Sequence, residues 1–229
     1  MTNKQEVVLE KCVPNHEQFT HVIGLDEVGW GAIAGPLSVS GVVLPWEFTN
    51  PGFKDSKRFS TNNSRKKGSD FAKANVLAYT TQFSLPQDVA KYGAGKALHY
   101  LQKKVVYKLL ADYPKALIVV DGNKYIPGVD KAKQLTLVGA DALIPAVSAA
   151  SIIAKVARDE YMMALDELFP TWEFHKNKGY PTPEHLKRLK ELGPTTVHRM
   201  NVTIVKSTFE KKGMYYEGTG EDQTRTACG

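Results

Sequence analysis

The chain has 229 residues, a formal net charge of +6, 42% hydrophobic and 24% charged residues. That length holds one domain with a sizeable core, or two small ones, and the balance is that of a globular chain rather than a disordered one. No apolar run approaches the roughly 20 residues of a membrane span, and Met1–Glu6 has no signal-like apolar stretch. Cys12 and Cys228 lie near opposite ends without CxxC spacing. A zinc knuckle is excluded and a disulfide scaffold disfavoured, so a soluble cytoplasmic monomer with no membrane partner is expected.

Residues 1–19 read as an N-terminal arm, with one strand expected at Glu6–Leu9. Thr20–Leu25 is an apolar strand closed by Asp26 and Glu27 and then by a glycine-rich turn, Gly29-Trp30-Gly31 through Gly35-Pro36. The Val-rich stretch Leu37–Leu44 predicts a second strand, antiparallel to the first because the connection is short. A helix is expected from about Ser60 to Arg65 onward, and a third strand at Thr80–Leu85. Ala90–Tyr113 predicts one helix, with Leu98, Leu101, Val105 and Leu109 on one face. Ala116–Val120 is a continuous apolar strand ending at the turn Asp121-Gly122-Asn123. Gln134–Val138 predicts another strand, ending before Asp141. Ala149, Ile152, Ile153 and Val156 mark a helix over Pro145–Leu168. A last helix starts at Thr182-Pro183-Glu184, with Thr182 as cap and Gly193 just past its end. Residues 20–205 therefore form one α/β domain, a central mixed sheet flanked by helices, and 206–229 a tail.

Four acids stand out from this pattern. Asp26 and Glu27 close one strand, Asp121 a second, and Asp141 follows a third. Carboxylates are rarely buried unless paired or bound to metal, and ligand sites in open α/β sheets favour the carboxyl ends of strands. Alone, Asp121 reads as a turn residue and Asp141 as a helix-entry acid. Together they make an all-oxygen set of the kind that selects Mg2+ or Mn2+. Adjacent residues on a regular strand point to opposite faces. Asp26 and Glu27 serve one site only if the strand breaks between them or one contributes differently.

Two basic clusters accompany the acids. Lys54, Lys57, Arg58, Arg65, Lys66 and Lys67 form one; Lys176, Lys178, Lys187, Arg188 and Lys190, beside Trp172, Phe174 and Tyr180, form the other. Either alone reads as a solvated lysine face. Interleaved with aromatics and joined to the acids, they suit a nucleic-acid backbone and two-metal phosphodiester hydrolysis. Gly29-Trp30-Gly31 with Gly35 and Asp55 also imitates a dinucleotide-binding turn, but Pro36 and a strand follow where that motif requires a helix.

Several ordered motifs resemble the type 2 ribonucleases H, ribonuclease HII in particular. They are Asp26–Gly31 with Ala34-Gly35-Pro36, Asp55-Ser56-Lys57-Arg58, Val120–Asn123, Asp141 with Ala149–Asp159, Lys178–Thr182, and His198-Arg199. The resemblance spans about residues 20 to 205 and implies a ribonuclease H-like fold. It implies a catalytic, metal-binding set of Asp26, Glu27, Asp121 and Asp141 holding two Mg2+ or Mn2+ ions roughly 4 Å apart. It further implies an endoribonuclease acting on RNA/DNA hybrids and on ribonucleotides embedded in duplex DNA, leaving 3′-hydroxyl and 5′-phosphate ends. Gly29, Trp30, Gly31, Lys57, Arg58, Ser151, Lys155, Tyr180 and Arg199 are the expected substrate contacts. Tyr180 matches the tyrosine that packs on the sugar beside the ribonucleotide, whereas Asp159 is accounted for by an i, i+4 pair with Lys155. His175 and His185 are expected at the surface. The family usually has Gly-Arg-Gly where this chain has Gly29-Trp30-Gly31, and Trp supplies neither charge nor a bidentate phosphate contact. Two alternatives stay open: a catalytically impaired hybrid-binding module, and another ribonuclease H-like nuclease such as a junction resolvase.

Overall fold

The computed structural model describes residues 9–48 and 61–212. Lys57 and Arg58, and most of the strand expected at Glu6–Leu9, lie outside the described residues; Leu9 itself is helical, as are residues 10–12. Five strands form one sheet: β1 (His21–Val28), β2 (Leu37–Pro45), β3 (Ala78–Ser84), β4 (Ala116–Asp121) and β5 (Gln134–Leu137), in the order β3-β2-β1-β4-β5. β1 runs antiparallel to β2, and β2 to β3, while β4 and β5 continue parallel to β1. This is the mixed sheet that the short first connection and the buried β4 run predict.

Around it lie α1 (Asn62–Ala74), α2 (Pro86–Tyr92), α3 (Ala94–Leu110), α4 (Ala140–Leu143), α5 (Pro145–Leu168), α6 (Phe174–Asn177), α7 (Pro183–Leu192) and α8 (Thr203–Lys211). The single helix expected over Ala90–Tyr113 is two, because Gly93 ends α2 and caps α3. The helix expected from Pro145 to Leu168 appears with those bounds. A further helix, α8, crosses the expected tail boundary at residue 205, and its Val205 is fully buried.

Each sheet face carries its own core. On one face α5 lays Ala146, Val147, Ala149, Ala150 and Ile153 against Val22, Val42, Leu117 and Val119. On the other, α3 lays Leu101, Val105, Val106 and Leu109 against Ile23, Leu25, Ile118 and Val120. The alternation along β1 and β4 is the period-2 rule made visible. Gly24 lets α5 approach: a Cβ there would lie 2.3 Å from the Ala146 carbonyl carbon and the Val147 nitrogen. The start of α5 is therefore pressed onto β1 two residues before Asp26. A third cluster, with Ile33, Met162, Leu165, Trp172, Phe174, Leu189 and Val205, packs the C-terminal helices on the far half of α5.

Candidate active site

β1 does not end before the acid pair. It continues unbroken through Asp26 and Glu27, which register with Ser40 and Val39 of β2. The expectation that both acids lie beyond the strand is corrected, because β2 offers a full-length partner ladder. Pairing of Leu25 with Val120 then sets Asp26 beside Asp121 at the matching ends of two parallel strands. Both side chains leave from the α5 face, as the alternation from Val22 and Leu117 requires. Glu27 leaves from the face of Ile23 and Leu25.

Asp141 reaches this corner through α4. The Asp121 Oδ1 atom accepts a hydrogen bond of 3.0 Å from the Ala140 backbone N–H, so Asp121 holds the first turn of the helix that carries buried Asp141. Ser151, one of the expected substrate contacts, donates its hydroxyl to Asp26. The Glu27 N–H also donates to Asp26 Oδ1, at 2.8 Å.

The electrostatics of the corner are unbalanced. Burial first, then the Glu27 and Asp121 charges, push the Asp26 carboxyl up to about 7, against the two hydrogen bonds that favour its anion. Burial and the Asp121 charge also raise Glu27. The set is all oxygen, and Asp26, Glu27 and Asp121 raise one another's affinity for positive charge, which is the chemistry a hard divalent cation answers. The acids are neighbours rather than a closed cage. Among the described residues, no three acidic, histidine or cysteine side chains converge closely enough to hold a cation as they stand.

The glycine turn beside the acids is held by two buried arginines. Arg199 donates from Nε to the Gly35 carbonyl (3.0 Å) and from Nη1 to the carbonyls of Gly29 (2.7 Å) and Trp30 (3.2 Å). Arg158 donates to the carbonyls of Pro36, Lys178 and Ala34. Both are fully buried. Arg199, expected on the substrate, thus faces inward and braces the turn. Burial and the Arg158 charge pull it down to about 10, still cationic at neutral pH. Gly29 sits at φ +96°, where a Cβ would also lie 2.4 Å from the Arg158 Nε atom. Among the described residues nothing lies within 4 Å of a Cβ built on Gly31, and Trp30 is 51% exposed. The turn's outer side is open to a ligand.

Tyr180 lies with its ring 5.2 Å from the Arg158 guanidinium, and its backbone is held by histidines. His185 Nδ1 is 2.8 Å from the Tyr180 carbonyl, His185 Nε2 is 3.2 Å from His198 Nε2, and the Thr195 N–H donates to His198 Nδ1. A carbonyl only accepts, so His185 carries its proton on Nδ1. His198 must then donate from Nε2 and accept at Nδ1, and one tautomer satisfies every contact. Burial and the facing His185 drop His198 to about 3, so the pair is neutral. His185, expected at the surface, is fully buried in a box that includes Trp172 and Phe174. His175 is exposed, as expected, and pairs with Asp166. The second basic cluster is largely accounted for by packing and ion pairs: Trp172 and Phe174 are core residues, and Lys176 and Arg188 pair with Glu173.

Arg158 and His185 were not among the expected site residues. The signal for Arg158 was present, since it interrupts the buried α5 stripe Ala154, Arg158, Met162 at i, i+4 spacing. His185 carried no comparable signal, because a histidine one turn into a capped helix is ordinary.

With this geometry in hand, the family model described as ribonuclease HII matches residues 23–212. The chain belongs to the ribonuclease HII family. It is 36% identical over 178 residues to a ribonuclease HII of Francisella philomiragia, covering 78% of this chain and 94% of that one. The crystal structure of ribonuclease H2 from Pyrococcus horikoshii OT3 superposes with a TM-score of 0.64 at 25% identity, over 83% of this chain and 98% of the other. Bst ribonuclease HIII, solved in complex with Mn2+, shares the fold at a TM-score of 0.65 and 18% identity, over 86% and 71% of the two chains. The ribonuclease H-like fold is thereby established for this ribonuclease HII family member.

Proposed function

We propose that Asp26, Glu27, Asp121 and Asp141 are the catalytic carboxylates of an endoribonuclease that cuts RNA paired with DNA, and ribonucleotides embedded in duplex DNA. Membership of the ribonuclease HII family makes the chain a ribonuclease H-type hydrolase. The observation that carries the site assignment is the placement of Asp26 beside Asp121 on one sheet face, where burial and the Glu27 and Asp121 charges raise the Asp26 carboxyl.

The four acids would hold divalent cations, Mg2+ or Mn2+, which when bound activate the attacking water and stabilise the departing 3′-oxygen. The rest falls to the chain itself. Ser151 and the Glu27 N–H aim Asp26. Asp121 docks α4 and with it Asp141. The Gly29–Gly31 turn, open at Gly31, offers backbone to the ribose and phosphate, and Tyr180 presents a ring to the sugar. Arg158 and Arg199 hold that turn and the Tyr180 loop in one frame. Trp30, in place of the usual arginine, gives this turn an aromatic surface rather than a charge.

The reading is tested by cleavage of a continuous RNA/DNA hybrid and of a duplex with one ribonucleotide, each with Mg2+ and with Mn2+. Metal-dependent cutting by wild type that disappears in Asp26→Asn is expected. No cutting of either substrate, or full activity in Asp26→Asn, refutes it.

A further inference from the structure

The chain's positive charge is unevenly placed. Residues 91–133 hold nine lysines, no arginine and three acids, so this stretch alone matches the whole net charge of +6. It comprises the end of α2, then α3, β4 and the crossover loop from β4 to β5. One of its acids is Asp121 of the acid corner. Asp130 is engaged, its Oδ1 accepting at 3.0 Å from the Ala132 N–H. The third, Asp112, lies beyond the end of α3.

Much of this charge lines one side of α3. Lys96, Tyr100, Lys103 and Tyr107 follow the i, i+4, i+7, i+11 spacing of one helix stripe, with Lys104 and Lys108 beside it. The opposite side buries Leu101, Val105 and Leu109 on the sheet. Tyr100 is 64% and Tyr107 52% exposed. Among the described residues, none of the four lysines enters an ion pair. Other lysines of this surface do: Lys66 pairs with Glu160, Lys155 with Asp159 and Lys176 with Glu173.

The crossover loop widens the stripe into a surface. The Tyr107 hydroxyl donates to the Gly128 carbonyl at 2.7 Å. Lys103 reaches the same glycine, where a Cβ would lie 2.9 Å from its Nζ. Ile126 anchors the loop in the core under α3. Tyr125, 42% exposed, has the Lys131 ammonium 4.7 Å from its ring centroid. Helix and loop thus present lysines and tyrosine rings on one fixed face. That face is not the acid corner. Asp26 and Asp121 leave from the α5 face of the sheet, whereas α3 covers the other. β3 runs parallel to β1, so α3 starts at the carboxyl end of the sheet, and Tyr107 lies thirteen residues, ~20 Å, down the helix.

We propose that α3 and the crossover loop form a second nucleic-acid surface, separate from the acid corner, that takes single-stranded RNA or DNA. Unpaired lysines attract phosphates, and the rings between them offer stacking platforms. Tyr100 and Tyr107 stand two turns, ~10 Å, apart with Lys103 between them. A single strand has free base faces to lay on such rings. A duplex keeps its base faces stacked, and an acidic peptide would use the lysines alone.

The test is fluorescence anisotropy of labelled oligo(dT) and oligo(U), each of about 20 nucleotides, with the full chain in EDTA over a KCl series. Cleavage of a short blunt RNA/DNA hybrid with Mg2+ or Mn2+ runs beside it. The variants are Lys104→Gln combined with Lys108→Gln, Tyr100→Ser, and Tyr100→Phe, all at exposed positions. Wild type is expected to bind both strands. The double lysine variant should lose ~1.4 from the log–log salt slope, the share of two phosphates on a single strand. Tyr100→Ser should bind about fivefold or more weakly, and Tyr100→Phe as wild type does. Hybrid cleavage should be unchanged in all three. No strand binding by wild type at about 50 mM KCl overturns the surface. Wild-type affinity and slope in the double variant also overturn it, since the strand then sits elsewhere. So does hybrid cleavage that falls in step with strand binding, which makes the face part of the cleavage groove. Labelled poly-L-glutamate that binds as tightly as oligo(dT), with Tyr100→Ser unaffected, assigns the face to an acidic protein instead. Wild type that cuts no hybrid counts against the proposed function alone, because strand binding is read without cleavage.

Discussion

Replacing Asp26 by Asn should stabilise the metal-free protein while abolishing cleavage. The Asp26 carboxyl is held at about 7 against 3.8 when unperturbed. Between those values the folded chain keeps a proton that the unfolded chain has released, so stability falls as pH rises through the window. The shift is about three pH units, and at 1.36 kcal/mol each the loss approaches ~4 kcal/mol above pH 7. Asn mimics the protonated acid and still accepts from the Glu27 N–H and Ser151. Urea unfolding in EDTA should therefore find the two proteins equal near pH 4, with Asp26→Asn ahead by up to ~4 kcal/mol at pH 8. The neutral histidines contribute in the opposite sense, losing stability as pH falls from 6.5 toward 3 for His198. That effect is common to both proteins and cancels in the difference. Divalent metal should close the gap from the wild-type side. A wild type as stable as the variant at pH 8 in EDTA would refute the account of an electrostatically strained corner.

Gly29→Ala forces a side chain onto Arg158 at a positive φ and should cost about 1–3 kcal/mol, with activity lost well before global stability; denaturant midpoints and kcat, measured together, check this. Arg158→Met leaves three buried carbonyls unpaired and should cost about 3–5 kcal/mol, comparable to breaking a buried charged contact, read from the urea midpoint. Trp30→Arg alters a half-exposed ring, so stability should move by less than about 0.5 kcal/mol while the ratio of single-ribonucleotide to hybrid cleavage rises; an unchanged ratio would place that preference in the turn's backbone and Tyr180. His185→Phe removes the donor to the Tyr180 carbonyl and should raise KM more than it lowers kcat, with a stability loss of about 1–3 kcal/mol.

Strand and helix identities were legible wherever periodicity was strong. The buried run of β4 and the stripe of α5 translate directly into structure, because burial on both faces or on one stripe admits few other conformations. Thr182 and Gly193 likewise bound α7 as their capping chemistry requires. β1 runs three residues past the apolar run that marks it in the sequence, because the partner ladder that carries the acids, β2, is not part of that local pattern. Residue type also concealed direction. Arg199 and Trp172 look like ligands for nucleic acid in a list of basic and aromatic residues, yet one is buried against backbone carbonyls and the other lies in the core.

The Arg199 clasp also bears on the order in which the enzyme comes into being. The Gly29 carbonyl is held by a side chain 170 residues later in the chain. Contacts of such separation form late, after the loop-closure entropy of everything between has been met. During synthesis, the sheet and its acids can assemble while the turn beside them still lacks its anchor. The turn proposed to meet the substrate thus gains its anchor after the strands that carry the proposed acids have been made, from the segment between α7 and α8.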